Sequence, residues 1–183
     1  MKTVAQIEQE LIAPGGAFEI VQEEVLGETI KVFRERHRCL RELVQNSLHH
    51  ADGEYIVCQD QRITFAAHYQ RVCAVANTLR DKYGVARGDR VAILADNHPE
   101  WIITFWATVS IGAICVALNG WWQREEILYG IGNSEPRLLL GDRKRLARIA
   151  GDTLPCPTVC IEDDFAALET TRDDGLPAVD IAE

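Results

Sequence analysis

The sequence predicts an α/β fold, built on a doubly wound, mostly parallel sheet with helices on both faces. Short apolar runs that are rich in β-branched side chains recur through the middle of the chain. Between them lie stretches whose apolar residues repeat at helical spacing, and turn residues separate the two kinds of segment. Strands that alternate with helices in this way form βαβ units, and such units build a parallel sheet covered by helices.

The clearest βαβ unit lies within residues 90–119. Residues 90–96 form an apolar run that ends in a polar residue, as expected of a strand buried on both faces. The following helix is predicted to begin with Asn97 as its N-cap and Glu100 three residues later, in a variant of the capping box. Residues 114–116 contain β-branched side chains and favour a second buried strand.

A helix, a hairpin and a longer helix are predicted before this unit. Residues 40–48 carry leucine and valine at helical spacing. The segments 55–58 and 62–65 flank a polar turn, which is typical of a small hairpin. Thr64 is placed to cap the next helix, whose apolar stripe ends at Gly84.

Basic residues cluster in the N-terminal arm of the chain. They are Arg34, Arg36, Arg38 and Arg41. Because runs of this kind usually form a solvated helix face, we interpret them in that way and not as a binding site.

Helices and strands continue to alternate beyond the βαβ unit. A short helix is predicted from Arg124, weakened by two internal glycines, and a buried strand over residues 137–141. A basic helix over 142–150 and a strand over 158–162 follow. The last stretch, residues 162–183, contains eight acidic residues against one basic residue, a composition typical of a linker or an edge.

Composition places the chain among soluble globular proteins. Of its 183 residues, 47% are hydrophobic and 26% are charged, and the formal net charge is −9. This negative charge argues against nucleic acid or an anionic membrane as the main partner. Among the six cysteines, Cys156 and Cys160 are close enough to suggest a ligand pair, but no second pair with zinc spacing accompanies them. The N-terminus lacks the apolar core of a signal peptide. We therefore expect reduced thiols, no metal site and a cytoplasmic location.

Residues 101–123 have an alternative interpretation as a membrane span, because none of them is charged. Gly112 interrupts the stretch, and its composition changes there from helical to strand-like. Polar residues also lie inside it, namely Thr104, Thr108 and Ser110. We therefore predict no membrane span.

Several sequence blocks recur in a specific order and spacing. They are RITF at Arg62–Phe65, GV at Gly84–Val85, GDRVAI at Gly88–Ile93, NHPEW at Asn97–Trp101 and the stretch Ile111–Asn119. Together they resemble the N-terminal region of the adenylate-forming superfamily, and most closely that of the fatty-acyl-CoA synthetases. The resemblance implies an N-terminal arm with a helix over residues 1–54, an α/β subdomain over 55–162 and an acidic connector over 163–183.

The resemblance also implies a reaction for the parent protein. It would be a carboxylate–CoA ligase of the fatty-acid type that forms an acyl adenylate and then an acyl-CoA, with ATP, Mg²⁺ and coenzyme A. In the family, a Ser/Thr/Gly-rich phosphate-binding loop that ends in Pro-Lys-Gly follows the acidic connector, and a catalytic lysine comes later still. Neither motif occurs among residues 1–183. We therefore expect an N-terminal fragment without catalytic residues, inactive alone, whose partner is the remainder of the same polypeptide and whose uncovered apolar surface promotes self-association.

The same resemblance implies a contact with coenzyme A. In some acyl-CoA synthetases, the loop after the second matching strand and basic residues on a later helix approach this cofactor. The corresponding positions are Asn119, Gly120, Trp121, Arg145 and Arg148. Glycine permits a close backbone approach and arginine suits a phosphorylated nucleotide. The competing interpretation is an exposed tryptophan beside a solvated basic helix.

A second class of function remains open, which is a stand-alone α/β module that binds a partner without catalysis. The gene distinguishes the two hypotheses. A reading frame that continues past residue 183 into a Thr/Ser/Gly-rich loop favours the ligase, and a stop codon there favours the module.

Overall fold

The computed structural model describes residues 1–170 and 175–181, and it contains two compact units. The first unit comprises Met1–Cys39 and the second Leu40–Ile181. The division into an arm, a subdomain and a connector at residues 54 and 162 stays a prediction.

The first unit consists of a helix and a hairpin. Helix α1 spans Val4–Ile12 and begins at a capping box, in which the Thr3 hydroxyl accepts from the Gln6 amide. Strands β1, Ile20–Val25, and β2, Glu28–Phe33, pair in antiparallel register.

The basic cluster does not form one solvated helix face, so that interpretation was wrong. Only Arg41 lies on a helix, and its guanidinium donates to the carbonyls of Ser110 and Pro177. Arg34 follows β2 directly and pairs with Glu19, while Arg36 and Arg38 share the carboxylate of Glu23. Helix α2 begins only at Leu40 and extends to Asn46. Arg34, Arg36 and Arg38 therefore pair with two glutamates, and this pairing compensates the charge that a solvated face would present.

The second unit begins with short elements that precede its sheet. Helix α2 continues into a 3₁₀ turn at Ser47–His50. Strands β3, Glu54–Cys58, and β4, Gln61–Thr64, form the predicted antiparallel hairpin. Helix α3, Phe65–Asp81, follows at once, and the Thr64 hydroxyl accepts from the Ala67 amide at 3.1 Å, which confirms the predicted cap.

A four-stranded parallel sheet forms the centre of this unit. Its strands are β5, Arg90–Leu94, β6, Ile114–Ala117, β7, Leu138–Gly141, and β8, Thr158–Cys160, in the spatial order β6-β5-β7-β8. Strands β5 and β7 are buried on both faces, as predicted. Strand β6 is not, because it lies at one edge of the sheet, and its Ile114 side chain is 52% exposed.

Helices cover both faces of the sheet and complete the doubly wound α/β architecture that the sequence predicts. The four that follow the strands are α4, Pro99–Ser110, α5, Arg124–Ser134, α6, Arg143–Leu146, and α7, Ile161–Asp164. Helices α3 and α4 pack on one face, against residues such as Val91 and Leu138. Helix α5 and the 3₁₀ turn Ala147–Ile149, which continues α6, pack on the other face, against Ala92 and Leu139.

The start of α4 differs from the prediction. Its N-cap is His98, in an extended conformation, and neither Asn97 nor Glu100 caps it. The reason is Pro99, because the residue before a proline is kept in an extended conformation. An N-cap residue needs this extended conformation, so His98 takes that position. Glu100 instead pairs with Arg71 of α3.

Among the described residues, no helix is long and apolar enough to cross a membrane. The uncharged stretch 101–123 is divided between α4, edge strand β6 and the loop that follows it. This division places Ile103, Ala107 and Ile111 in the core.

The last described segment, residues 175–181, is fixed to the second unit by three side chains. Asn77 donates to the carbonyl of Gly175, Arg41 to that of Pro177 and Arg87 to that of Asp180. The predicted acidic connector also includes residues 171–174 and 182–183, which lie outside the described residues. Its role as a connector stays a prediction.

Candidate functional site

The carboxyl ends of β5 and β7 form the natural place for a site in this sheet. The two strands are neighbours, yet the chain leaves β5 toward the face covered by α4 and leaves β7 toward the opposite face, where Leu146 and Ile149 pack. Such a switch point opens a crevice at the carboxyl edge, where doubly wound sheets bind ligands. Asp96 follows β5 and Asp142 follows β7 at this edge.

Asp142 is the centre of the hydrogen-bond network at the switch point. Its carboxylate caps α6 by accepting from the Arg145 amide at 2.8 Å, and it also accepts from the Asp96 amide at 2.8 Å. The Arg145 guanidinium donates to it at 2.6 Å, within a pair whose side chains are 9% and 3% exposed. Burial raises the pKa of the Asp142 carboxyl, but the hydrogen bonds from these amides and the guanidinium outweigh burial and leave the pKa below its usual range.

The loop after β6 is held against this network by two arginines. Arg145 Nε donates to the carbonyl of Gly120 at 3.1 Å. Arg148 Nη1 donates to the same carbonyl at 2.8 Å and to that of Trp122 at 2.7 Å. The structure therefore brings together three of the five residues that the sequence predicts as a coenzyme A contact, namely Gly120, Arg145 and Arg148.

Gly120 is required by this packing and not by an unusual backbone angle. A Cβ atom built on it would lie 2.7 Å from Arg145 Nε and 3.2 Å from Arg145 Nη2. Real Cβ atoms do not approach other heavy atoms so closely, and the buried guanidinium is held by Asp142. A side chain at residue 120 would displace the arginine from the loop.

The other two predicted residues shape the outer side of the loop. Asn119 Oδ1 accepts from the Trp121 amide at 2.9 Å, a local turn that fixes the backbone between them. The Trp121 side chain is 84% exposed. It therefore presents a large apolar surface beside the switch point without contributing to the core.

The geometry of the edge suits binding by backbone and aromatic groups better than acid–base chemistry. The Arg145 guanidinium is committed to Asp142, Asp96 and Gly120, and Asp142 is held in its ionised form. Within residues 1–170 and 175–181, no group of three or more histidine, cysteine or acidic side chains has the arrangement of a metal site. What the edge offers is a fixed loop with an exposed indole.

Comparison with protein families identifies the fold in which this edge occurs. The family model for AMP-binding enzymes matches residues 44–180. The chain belongs to the AMP-binding enzyme family. The match includes the whole parallel sheet, the Gly120 loop and both arginines.

Two relatives of this chain are CoA ligases by name. Over 114 residues the chain is 35% identical to the 3-hydroxybenzoate–CoA/4-hydroxybenzoate–CoA ligase of Thauera aromatica, covering 61% of this chain and 22% of that protein. Over 128 residues it is 27% identical to a medium/long-chain-fatty-acid–CoA/3-oxocholest-4-en-26-oate–CoA ligase of Mycobacterium marinum, covering 68% and 23%. The chain thus spans less than a quarter of the length of these relatives.

A solved structure shows the same fold. The N-terminal domain of FACL13 from Mycobacterium tuberculosis matches with a TM-score of 0.71 at 21% identity, covering 79% of this chain and 39% of that one. At this identity the likeness concerns the fold alone.

Sequence reasoning missed the two aspartates of the switch point. Asp142 carried a usable signal, because an aspartate that directly follows a buried strand and precedes a helix is a strong N-cap candidate. Asp96 carried none of its own, since its amide and carboxylate meet Asp142 and Arg145 only after the strands have paired.

Proposed function

We propose that this chain forms the N-terminal part of a carboxylate–CoA ligase. In the reaction, a carboxylate oxygen attacks the α-phosphorus of ATP and pyrophosphate leaves; the thiol of coenzyme A then attacks the acyl carbon and AMP leaves. ATP, Mg²⁺ and coenzyme A are the cofactors of that complete enzyme. The observation that carries the proposal is the match of residues 44–180 to the AMP-binding family, and the CoA-ligase names of the relatives support it.

Within that enzyme, we assign the carboxyl edge of the sheet to coenzyme A. The backbone of Asn119–Trp121 and the exposed Trp121 indole would receive the cofactor, since a fixed loop lowers the entropy cost of binding and an indole offers contact area. Arg145 and Arg148 hold the Gly120 carbonyl in place. Arg148 donates only to backbone carbonyls and so also leaves positive charge beneath the loop, which favours a phosphorylated ligand.

A fatty acid is the proposed carboxylic acid. The lead-in segment Phe18–Val32 supports this choice through its resemblance to fatty-acyl-CoA ligases, and one of the two relatives above acts on medium- and long-chain fatty acids by name. The other relative is named for hydroxybenzoates, so aryl acids form the comparison set for the experiment.

Residues 1–183 are proposed to be inactive by themselves and to act with the remainder of the same polypeptide in the cytoplasm. Adenylation depends on positioning and neutralising the transferred phosphate, and the sequence holds no Ser/Thr/Gly-rich loop that ends in Pro-Lys-Gly. Exposed apolar side chains such as Leu40, Leu43 and Ile114 supply a surface through which the isolated chain would associate with itself.

The test compares two proteins. One is the product of the complete reading frame that contains these residues, and the other is the 183-residue chain alone. We expect ATP–pyrophosphate exchange and thioester formation from the first protein with fatty acids, weaker exchange with benzoates, and neither from the second. Absence of carboxylate-dependent exchange from the first protein would overturn the ligase, and a reading frame that stops at residue 183 would favour the binding module.

A further inference from the structure

A second crevice lies at the opposite edge of the sheet, where the strands begin. It has a volume of about 410 Å³, and its lining includes Lys82, Tyr83, Arg90 and Arg137. The strands β5, β7 and β8 start beside it, at Arg90, Leu138 and Thr158. This crevice is therefore separate from the carboxyl-edge loop assigned to coenzyme A.

The acidic side chains around the crevice already have partners. Asp89 accepts from the Ala86 amide at 2.9 Å and so closes the turn before β5. Glu135 lies 3.8 Å from the Arg90 guanidinium, which also donates to the carbonyls of Ser134 and Glu135. Asp81 is paired with Arg80. Asp81 and Glu135 thus have arginine partners, and the Asp89 carboxylate is held by a backbone amide.

Two of its cations are not compensated in this way. Arg137 donates through Nε to the carbonyl of Tyr83 at 3.2 Å, and the Lys82 ammonium lies 5.2 Å from the centroid of the Tyr83 ring. Within residues 1–170 and 175–181, neither Lys82 nor Arg137 has a carboxylate at ion-pair distance. Both are thus gathered around one tyrosine, facing the same crevice, without a counter-ion from the protein.

We propose that this crevice binds a small phosphate-bearing anion. Two cations without a carboxylate partner attract the negative charge of a phosphate group, and the guanidinium fork of Arg137 suits two phosphate oxygens at once. Tyr83 and Pro136 line the crevice beside the cations and provide apolar wall for an organic substituent. The whole protein carries a net charge of −9, which repels anions. The local positive charges of the crevice must therefore attract the ligand.

Pyrophosphate is the probe for the test, titrated into the 183-residue chain at low ionic strength and followed by calorimetry and amide chemical shifts. We expect saturable binding that shifts the amides of Tyr83, Gly84 and Asp89. Binding should weaken at least about tenfold in a Lys82→Gln/Arg137→Gln double variant, because each charged hydrogen bond contributes on the order of a tenfold change in affinity. Added salt should weaken it further.

The matched control is Lys31→Gln/Arg62→Gln, which removes one lysine and one arginine from exposed hairpin positions and changes the net charge equally. It should keep the affinity of the unmodified chain. Because Arg137 also donates to the Tyr83 carbonyl, the single variant Lys82→Gln checks that the loss does not arise from misfolding.

Three outcomes would overturn the proposal. They are an equal loss of affinity in the control, chemical-shift changes centred on Gly120–Trp122, and the absence of saturable binding. The ligand class is tested with AMP and acetate. Tighter binding of AMP than of pyrophosphate would support a role for the Tyr83 wall, whereas acetate that binds as tightly as either would contradict recognition of phosphate.

Discussion

Arg145 Nε donates to the carbonyl of Gly120 at 3.1 Å, across a separation of 25 residues in sequence. The contact joins the loop after edge strand β6 to the helix after β7, and the glycine has no side chain that would block it. Arg145 in turn is fixed by the buried carboxylate of Asp142. Asp142 thus holds Arg145, and Arg145 holds the loop. The position of the loop therefore depends on two side chains that need not contact a ligand.

Replacement of Gly120 by alanine tests whether the loop needs this close approach. The new methyl group would lie 2.7 Å from Arg145 Nε, so the buried guanidinium or the loop must shift. We expect a loss of about 1–3 kcal/mol in the free energy of unfolding, measured by urea denaturation.

Gly132→Ala is the matched control for that substitution. A Cβ atom at residue 132 would meet nothing within 4 Å, and the residue lies inside helix α5. Alanine there should stabilise the protein by roughly 0.5–1 kcal/mol, since glycine is the poorer helix former. Equal destabilisation by both variants would argue against a specific clash at Gly120.

Asp142→Asn tests the buried ion pair at the switch point. The substitution keeps the size of the side chain but leaves the buried Arg145 charge with only the exposed Asp96 carboxylate, 3.4 Å away. We expect about 3–5 kcal/mol of destabilisation at neutral pH. Asp163→Asn, at an exposed carboxylate that pairs with Arg143, is the control and should change stability little.

Acid should reduce the difference between the Asp142→Asn variant and the unmodified chain. Hydrogen bonds hold the pKa of Asp142 below its usual range despite burial, so its contribution to stability is present above the ordinary aspartate pKa. That contribution is lost as pH falls through the lower, folded-state pKa. A constant difference between the two proteins down to the most acid pH at which they fold would contradict this account.

Local sequence signals predicted the main strands and helices of the second unit, because burial on two faces and capping leave a pattern in consecutive residues. Helix α1 and the β1–β2 hairpin were not predicted. Thr64 is an example, since its cap depends only on the three residues that follow it. Edge position leaves no such pattern. Strand β6 has the β-branched composition of a buried strand, and only the order of strands in the sheet reveals that one of its sides is open.

The two glycines in α5 show the same limit. Both were expected only to weaken the helix, yet Gly130 leaves room for Trp122, because a Cβ atom there would lie 2.7 Å from that ring. Gly132 has no such neighbour. The sequence alone does not distinguish a glycine that serves tertiary packing from one that does not. In the same way, the sequence did not reveal that Arg145 and Arg148 donate to one carbonyl, that of Gly120.

A buried histidine predicts a pH dependence of stability. His68 of α3 is 1% exposed, and neither ring nitrogen has a hydrogen-bond partner within the described part of the chain. Burial, with a contribution from the Arg71 charge, lowers the pKa of His68 to about 4. Between about pH 6.5 and 4, the unfolded chain therefore binds a proton at this residue that the folded chain does not. The free energy of unfolding should decrease as the pH is lowered across that window.

The His68 contribution is on the order of 3 kcal/mol between the ends of the window. We expect His68→Leu to flatten the decline in urea midpoint from pH 6.5 to 4, relative to the unmodified chain. The control His49→Leu alters an exposed histidine and should keep the decline. If His68→Leu leaves the slope unchanged, another group must be responsible for it.

The arginines beneath the loop give the sharpest test of the coenzyme A assignment, in the complete enzyme that contains this chain. Arg148→Ala removes the two hydrogen bonds that hold the carbonyls of Gly120 and Trp122, while Asp142 and Arg145 still support the switch point. We expect KM for coenzyme A to rise on the order of tenfold, with ATP–pyrophosphate exchange unchanged, because only the second half-reaction uses this loop. Lys144→Ala changes the charge equally on the neighbouring exposed surface and should leave both half-reactions intact. An equal loss in both half-reactions of Arg148→Ala would indicate a structural role for the arginine, and an unchanged KM for coenzyme A would remove the loop from the cofactor site.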